Sequence, residues 1–272
     1  MKTTKRKHTK GFTLVELLVT TAIITTLAGV SVTGYLGLRQ KARLATEVNA
    51  ARNLMVAYLS YPADHNGRVM PGFQPDPDAT DLSGAPLGFP MNARYPWRLA
   101  QNAPRIEGIV LFNGSESALR EENSAYLVSV MPNLGLNAVL IGGHFGSGSP
   151  LPPSPRLIEA YGKFHLTHLA EANSPEKLTV FASARSGKNR PGYFEIRPPN
   201  LTGRVWSGSE FSEDSPASAH GFVDFRYGGK AVTASLAGNV QLLSEDELRD
   251  MRRWSNQAAT GGDRDFTIKR QH

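Results

Sequence analysis

A nearly uncharged run from Phe12 to Leu38 constrains this chain more than any other part of its sequence. Glu16 is the only formally charged side chain in that run. Stretches of about 18 or more apolar residues are long enough to cross a bilayer as a helix. A carboxylate in such a helix is costly, by about 2.5–3.5 kcal/mol at the bilayer centre. The run therefore predicts a helix for an apolar environment, in which Glu16 requires a partner.

The residues before this run are strongly basic. Residues 1–11 carry five of the chain's 30 lysines and arginines and no acidic side chain. The rest of the chain is nearly neutral, because its other basic side chains are matched by 24 aspartates and glutamates. The net charge of +6 thus reflects a local cluster and not a basic surface for nucleic acid. A basic cluster beside an apolar run is typical of the cytoplasmic flank of a membrane segment.

The chain contains no cysteine, which limits the chemistry it can perform. Disulfides, thiolate zinc sites and cysteine nucleophiles are therefore excluded. With 272 residues, the chain is long enough to bury a substantial core without such cross-links.

The segment Gly11-Phe12-Thr13-Leu14-Val15-Glu16 opens the apolar run. It resembles the processing site of type IV prepilins and of type II secretion pseudopilins. The resemblance implies that a prepilin peptidase cuts between Gly11 and Phe12 and that the same enzyme methylates the new amino group of Phe12. It also implies that Glu16, the fifth residue of the mature chain, aids assembly by neutralising the N-terminal ammonium of a neighbouring subunit. Electrostatics agrees, since opposite charges attract far more strongly in an apolar bundle than in water.

The same resemblance implies a structural protein and not an enzyme. It predicts a subunit of a type II secretion pseudopilus or of a type IV pilus-like filament. Its partners are then prepilin peptidase and either further copies of this chain or other pilin-like subunits. The precursor is then a single-pass protein of the bacterial inner membrane, with a cytoplasmic leader and a periplasmic head. After processing, the subunit joins a filament in the periplasm or at the cell surface. The large head favours a minor or specialised subunit, and no cofactor is implied.

An ordinary secretory signal is the alternative interpretation of the N-terminus. Thr26-Leu27-Ala28 is an acceptable signal-peptidase site, and an uncut single-pass anchor is a further alternative. Either would make the chain a membrane-anchored or secreted binding or hydrolytic domain. Against a plain signal, the apolar character continues past Ala28, and such a signal gives no reason for Glu16.

The expected organisation follows the changes in composition along the chain. Residues 39–61 continue as an amphipathic stem helix, because apolar residues recur there at helical spacing. These are Leu44, Val48, Ala51, Met55 and Tyr58. Pro62 is expected to end the helix. The fold class is α+β, with a long N-terminal helix packed on an antiparallel β-sheet in a globular head. The segments are a leader at 1–11, a transmembrane or filament-core helix at 12–38, the stem at 39–61, the head at 62–257 and a flexible tail at 258–272.

The head is expected to contain short strands joined by long loops. Runs of β-branched and aromatic residues bounded by glycine, proline or asparagine predict the strands. They lie at 108–112, 125–130, 137–141, 177–182, 192–197, 221–225, 230–236 and 240–243. Proline- and glycine-rich sequence predicts loops at 71–90 and 142–155, with 142–148 flexible. Trp97 and Trp206 are expected to be buried anchors, and a short helix is expected near Pro96.

The C-terminal part carries the clearest local signals. Gly238-Asn239 predicts a tight turn between the last two strands. Ser244 and Glu247 form a capping-box signal for a short helix. The segment 225–230, aromatic-basic before two glycines, resembles the end of long-headed bacterial prepilin-like proteins. Such relatives have Asp-Gly-His at the hairpin turn, whereas this chain keeps only the glycine.

Two groups of side chains have the chemistry to bind a metal, although the patterns of known sites are absent. His165, His168 and Glu171 are spaced by three residues, so two of them share a face if the segment is helical. The metalloprotease pattern His-Glu-x-x-His is missing, and exposed histidines on a helix are the simpler interpretation.

Calcium in the head is the second metal hypothesis. Asp76, Asp78 and Asp81 are candidates to line a site, because hard cations bind several oxygens on a bent loop. The calcium-loop pattern is absent, so an acidic solvated loop is the simpler interpretation. The chain also lacks a phosphate-binding loop, a dinucleotide fingerprint and a nucleophile elbow.

Overall fold

The computed structural model describes residues 12–271, and the side chains of residues 30–34 and 36 are not among those described. The predicted leader, including Gly11 of the predicted cleavage site, lies outside the described residues. The chain divides into two compact units, one ending at Arg43 and the other spanning Leu44–His272.

Helices form the N-terminal part and several short segments of the head. The long N-terminal helix α1 spans Leu14–Asp64. The shorter α-helices are α2 Tyr95–Arg98, α3 Ile106–Val110, α4 Ser124–Val130, α5 Pro155–Tyr161, α6 Glu245–Leu248 and α7 Asn256–Gly261. Turns of 3-10 helix lie at Met91–Ala93, Ser115–Arg120, Leu169–Glu171, Ala217–His220 and Met251–Arg253.

The head contains a four-stranded antiparallel sheet and a small hairpin. The strands are β1 Leu134–Leu136, β2 Thr179–Ser183, β3 Arg185–Gly187, β4 Arg190–Pro191, β5 Lys230–Ser235 and β6 Val240–Ser244. The large sheet has the order β1-β2-β5-β6, and β3 pairs with β4. In the C-terminal hairpin, Lys230 lies opposite Ser244 and Ala234 opposite Val240. The predicted α+β class is confirmed.

In the unit that ends at Arg43, every described side chain is exposed. Among the residues that the structure describes, no helix is both long and apolar enough to cross a membrane. The transmembrane or filament-core helix at 12–38 stays a prediction.

The last turns of α1 belong to the second unit and form part of its core. Ala51, Leu54, Met55 and Tyr58 are fully buried. The Tyr58 ring meets the Phe181 ring of β2 edge-on, with 5.6 Å between the centroids. Burying a large apolar side chain contributes about 1.5–3 kcal/mol. The predicted apolar face of the stem is therefore confirmed as the face that packs on the sheet.

Pro62 does not end α1, contrary to the prediction. The helix continues to Asp64 with Pro62 inside it. Proline costs most in a helix interior, where the missing N–H breaks the hydrogen-bond ladder. Pro62 instead lies in the last turn, where it is buried and its carbonyl accepts hydrogen bonds from His65 N and Gly67 N. The burial of Pro62 thus offsets the unfavourable effect of proline on the helical conformation.

Several predicted strands are wrong. The segments 108–112 and 125–130 lie largely in α3 and α4, and 137–141 forms a turn. The segments 192–197 and 221–225 make only isolated bridges, at Glu195 and Val223. These runs are apolar because they are buried, and burial alone does not distinguish a short helix from a strand. The strands predicted at 177–182, 230–236 and 240–243 are confirmed.

The C-terminal residues are bound to the head, in contrast to the flexible tail that the sequence predicts at 258–272. Ala258 and Ile268 are buried. The Ile268 N–H donates to the Leu201 carbonyl at 2.8 Å, and the Gln271 N–H donates to the Ala160 carbonyl at 2.7 Å. The polar composition of this segment conceals the two buried residues that anchor it, Ala258 and Ile268.

Candidate functional site

The predicted processing and assembly residues lie at the start of α1. Phe12 and Thr13 precede the first helical residue, Leu14. The Phe12 side chain is 76% exposed. The first two residues after the predicted cut are therefore not helical, and the helix begins at the third.

Thr13 and Glu16 form a reciprocal capping box at this end of α1. Thr13 Oγ1 accepts a hydrogen bond from the Glu16 N–H at 3.2 Å. Glu16 Oε2 accepts from the Thr13 N–H at 2.9 Å and from the Thr13 hydroxyl at 2.8 Å. Two backbone N–H groups that a helix start leaves without partners are thereby satisfied. Sequence reasoning singled out Glu16 but missed Thr13, although Thr-x-x-Glu is itself the capping-box pattern.

The position of Glu16 suits a carboxylate that can change partners. It lies in the first turn of α1, where the helix dipole favours negative charge. Its side chain is exposed, and both of its hydrogen-bond donors come from Thr13. An ammonium group from another chain can therefore approach the carboxylate without disturbing a packed core.

Large apolar side chains are exposed on the turns that follow Glu16. They are Leu14, Val15, Leu17, Leu18, Val19, Ile23, Ile24 and Leu27. Soluble monomers rarely expose contiguous apolar patches of this kind, which mark protein or membrane contacts. This surface and the capping box together form the candidate assembly site.

The predicted metal ligands near residue 165 do not come together. His165 is buried, whereas His168 and Glu171 lie at the edge of a 3-10 turn. Lys163 Nζ lies 2.5 Å from Glu171 Oε1, and His168 Nδ1 lies 3.3 Å from the same oxygen. A lysine ammonium thus occupies the place beside Glu171 that a metal ion would need.

Two of the three aspartates of the calcium hypothesis accept hydrogen bonds from their own loop. Asp76 Oδ1 accepts the Asp78 N–H at 3.0 Å. Asp81 Oδ1 accepts the Ser83 N–H, the Ser83 hydroxyl and the Ala85 N–H, which closes a turn. Within the described part of the chain, no group of three or more histidine, cysteine, aspartate or glutamate side chains is placed to hold a metal ion.

A buried histidine–glutamate pair is the arrangement in the head that most resembles catalytic chemistry. His144 Nε2 lies 3.1 Å from Glu195 Oε2, and Arg197 Nε donates to Glu195 Oε1 at 2.5 Å. The His144 ring stacks on Phe73 with 4.5 Å between centroids. The side chains of His144 and Glu195 are only 4% and 0% exposed. The pair therefore joins two loops inside the head and is closed to solvent.

Glu47 links α1 to the sheet through a second buried polar cluster. The Ser183 hydroxyl donates to Glu47 Oε1 at 2.5 Å, and the Tyr227 hydroxyl donates to Oε2 at 2.6 Å. Arg226 Nη1 lies 3.7 Å from the same carboxylate. A buried carboxylate needs such partners to offset its desolvation. The aromatic-basic segment noted in the sequence thus fixes the stem on the head.

Comparison with known proteins bears on the N-terminus alone. Residues 6–32 match the family model described as the prokaryotic N-terminal methylation motif. No curated protein and no solved structure matches the chain. The matched range contains the predicted cleavage site, Glu16 and all eight exposed apolar residues of the candidate assembly site. The chain therefore carries a prepilin-type N-terminal methylation motif, which supports its place among type IV pilin-like and pseudopilin proteins.

Proposed function

We propose that this chain is a structural subunit of a type II secretion pseudopilus or of a type IV pilus-like filament. Prepilin peptidase cuts the precursor between Gly11 and Phe12 and methylates the new N-terminus at Phe12. The match of residues 6–32 to the methylation motif is the observation that carries this proposal. The exposed position of Phe12, ahead of the first helical residue, agrees with access by a peptidase.

Assembly follows from the chemistry of the mature N-terminus. Processing creates a new ammonium group, and Glu16 offers an exposed carboxylate near the same end of α1. Between subunits, the two charges neutralise each other as the apolar side chains are removed from water. Before assembly, the same apolar turns hold the subunit at the inner membrane, with the basic leader cytoplasmic and the head periplasmic.

The mass of the mature N-terminus tests the proposal. The full chain is produced in a bacterial host with and without an active prepilin peptidase, and the purified product is measured by intact-protein mass spectrometry. A product that begins at methylated Phe12, and only in the host with the peptidase, is the expected result. A product that begins at Gly29 would show ordinary signal-peptide cleavage after Ala28 and would refute the proposal.

A further inference from the structure

A polar cavity of about 310 Å³ lies in the head, remote in sequence from the methylation motif. Its walls come from the end of α1, from the proline-rich loop at 71–78 and from the segment 98–102, which begins at the last residue of α2. The volume is at the lower end of the range for small-molecule sites, about 300–1,000 Å³.

Arg98 forms the buried side of this cavity. Its side chain is only 4% exposed, and Nη1 donates to the Pro71 carbonyl at 2.5 Å. Arg98 Nε has no hydrogen-bond partner within residues 12–271, and Asp76 Oδ2 lies 4.0 Å away. A buried donor without a partner is costly, so a ligand that accepts a hydrogen bond there would recover that free energy.

The other polar groups of the cavity are open to solvent, since Gln74, Asp78 and Gln101 are exposed and Asn102 is half-buried. The side chains of Gln74, Gln101 and Asn102 make no hydrogen bond to the described residues, and the Asp78 carboxylate accepts none. Each amide offers both donors and an acceptor. A ligand of several hydroxyl groups, each of which donates and accepts, matches such a wall.

One wall of the cavity is aromatic. The Tyr61 and His65 rings are stacked, with 3.7 Å between centroids and 4° between planes. Both residues line the cavity. The cavity is also lined by Pro71, Pro75 and Pro77, whose rings fix the backbone φ angle and limit the entropy lost when a ligand binds.

The charges in the wall disfavour strongly charged ligands. Arg98 contributes one positive charge, and Asp76 and Asp78 contribute two negative charges. The two carboxylates repel a small anion, and the guanidinium repels a metal ion. We propose that the cavity binds a neutral pyranose, whose hydroxyls pair with Arg98 and the three amides and whose apolar face packs on the aromatic wall. This inference is independent of the filament function, since no residue of the methylation motif takes part in it.

Ligand-detected NMR on the full chain tests this proposal. The protein is kept in a zwitterionic detergent, so that no detergent headgroup is itself a sugar. Saturation-transfer difference spectra are recorded with the methyl glycosides of glucose, galactose, mannose and N-acetylglucosamine. At least one of these pyranosides is expected to bind, and Gln101→Ala is expected to weaken its binding about fivefold, the usual effect of losing one hydrogen bond.

The variants are made at exposed positions, so that a loss of binding is not caused by unfolding of the head. His65→Ala removes one ring of the aromatic wall and is also expected to weaken binding. Gln241→Ala, an exposed amide on β6 outside the cavity, is expected to leave binding unchanged. Failure of all four glycosides to bind would overturn the proposal, and so would equal binding to the Gln101 and His65 variants. Specific binding of Ca²⁺ or inorganic phosphate, lost in Gln101→Ala without any sugar binding, would show that the ligand class is wrong.

Discussion

Glu16 has one interaction within its own chain and a second that we propose between subunits. Within the chain it accepts two hydrogen bonds from Thr13. In a filament it would neutralise the ammonium of a neighbour. The first interaction fixes where α1 begins, and the second needs a negative charge. Substitutions at the two positions therefore separate capping from assembly.

We predict that Glu16→Ala abolishes filament assembly and that Thr13→Ala does not. The alanine at position 16 removes the only formal charge in the apolar run, whereas the alanine at position 13 leaves that charge in place. Filaments are counted by electron microscopy, and circular dichroism checks that the head is folded in both variants. Normal filaments from Glu16→Ala would refute its role in assembly, and loss of filaments in Thr13→Ala alone would show that capping is what matters.

The lowered pKa of Glu171 predicts that the stability of the head decreases in acid. Burial alone would raise its pKa, but hydrogen bonds from Lys163 and from the Thr167 backbone and hydroxyl lower the pKa from 4.5 to about 2. A carboxyl group with a depressed pKa in the folded state stabilises the fold fully above its unfolded pKa. That contribution is lost as the pH falls from about 4.5 towards 2.

The expected result is therefore a difference that depends on pH. Glu171→Gln should unfold at a lower temperature than the parent chain at neutral pH, because it loses the ion pair with Lys163. The difference should shrink steadily below about pH 4.5, as the parent carboxylate becomes protonated. Thermal unfolding followed by circular dichroism measures it, with the exposed Glu176→Gln as the control. A difference that is constant with pH would contradict this assignment.

At the scale of elements, the sequence predicted what short-range chemistry determines. The turn at Gly238, the capping box of Ser244 and Glu247 and the strands on either side of the turn are local features, and all are confirmed. Trp97 and Trp206 are buried, as predicted. The sequence predicts strands around Ile109 and Val128, where the structure has helices, because short apolar runs are compatible with both strands and buried helices. Contacts distant in sequence decide between the two.

The candidate sites show the same difference between local sequence features and contacts distant in sequence. The predicted cleavage site and Glu16 belong to one continuous motif, so the sequence alone is sufficient to propose them. The cavity beside Arg98 combines three segments that are far apart in the chain, and no spacing pattern connects them. The glycine-rich loop at 142–148 was predicted to be flexible, but its first residues, Gly142 and Gly143, are buried. Gly142 packs closely against the Met70 backbone, and a contact between segments so far apart in the chain cannot be predicted from the sequence alone.

Gly142 provides a test at this scale. Its φ angle is +80°, and a Cβ atom there would lie 2.1 Å from the Met70 carbonyl oxygen. We predict that Gly142→Ala destabilises the head by at least about 1–3 kcal/mol, the usual cost of a strained backbone conformation. Gly148→Ala is the matched control, because an added Cβ atom at Gly148 meets nothing within 4 Å. Urea unfolding measures both, and equal stabilities would show that the loop yields more easily than the close contact implies.

At the scale of the whole molecule, folding and assembly belong to different parts of the chain. Within the described residues, the first buried side chain is Glu47, and both hydrophobic clusters lie in the unit Leu44–His272. The residues from Phe12 to Arg43 contribute exposed apolar surface and the capping box. A head whose core is complete without those residues can fold before any filament forms.

We therefore predict that a chain beginning at Leu44 folds as a soluble monomer. Its urea midpoint should equal that of the head in the full chain, because no buried side chain among the described residues is removed. A chain beginning at Leu59 is the control, since it lacks Leu54, Met55 and Tyr58. Truncation of one fully buried side chain of this size costs about 2–5 kcal/mol, so the shorter chain, which lacks all three, should not fold. Light scattering and tryptophan fluorescence measure association and unfolding. A lower midpoint for the chain from Leu44 would mean that the N-terminal turns support the head as well as the filament.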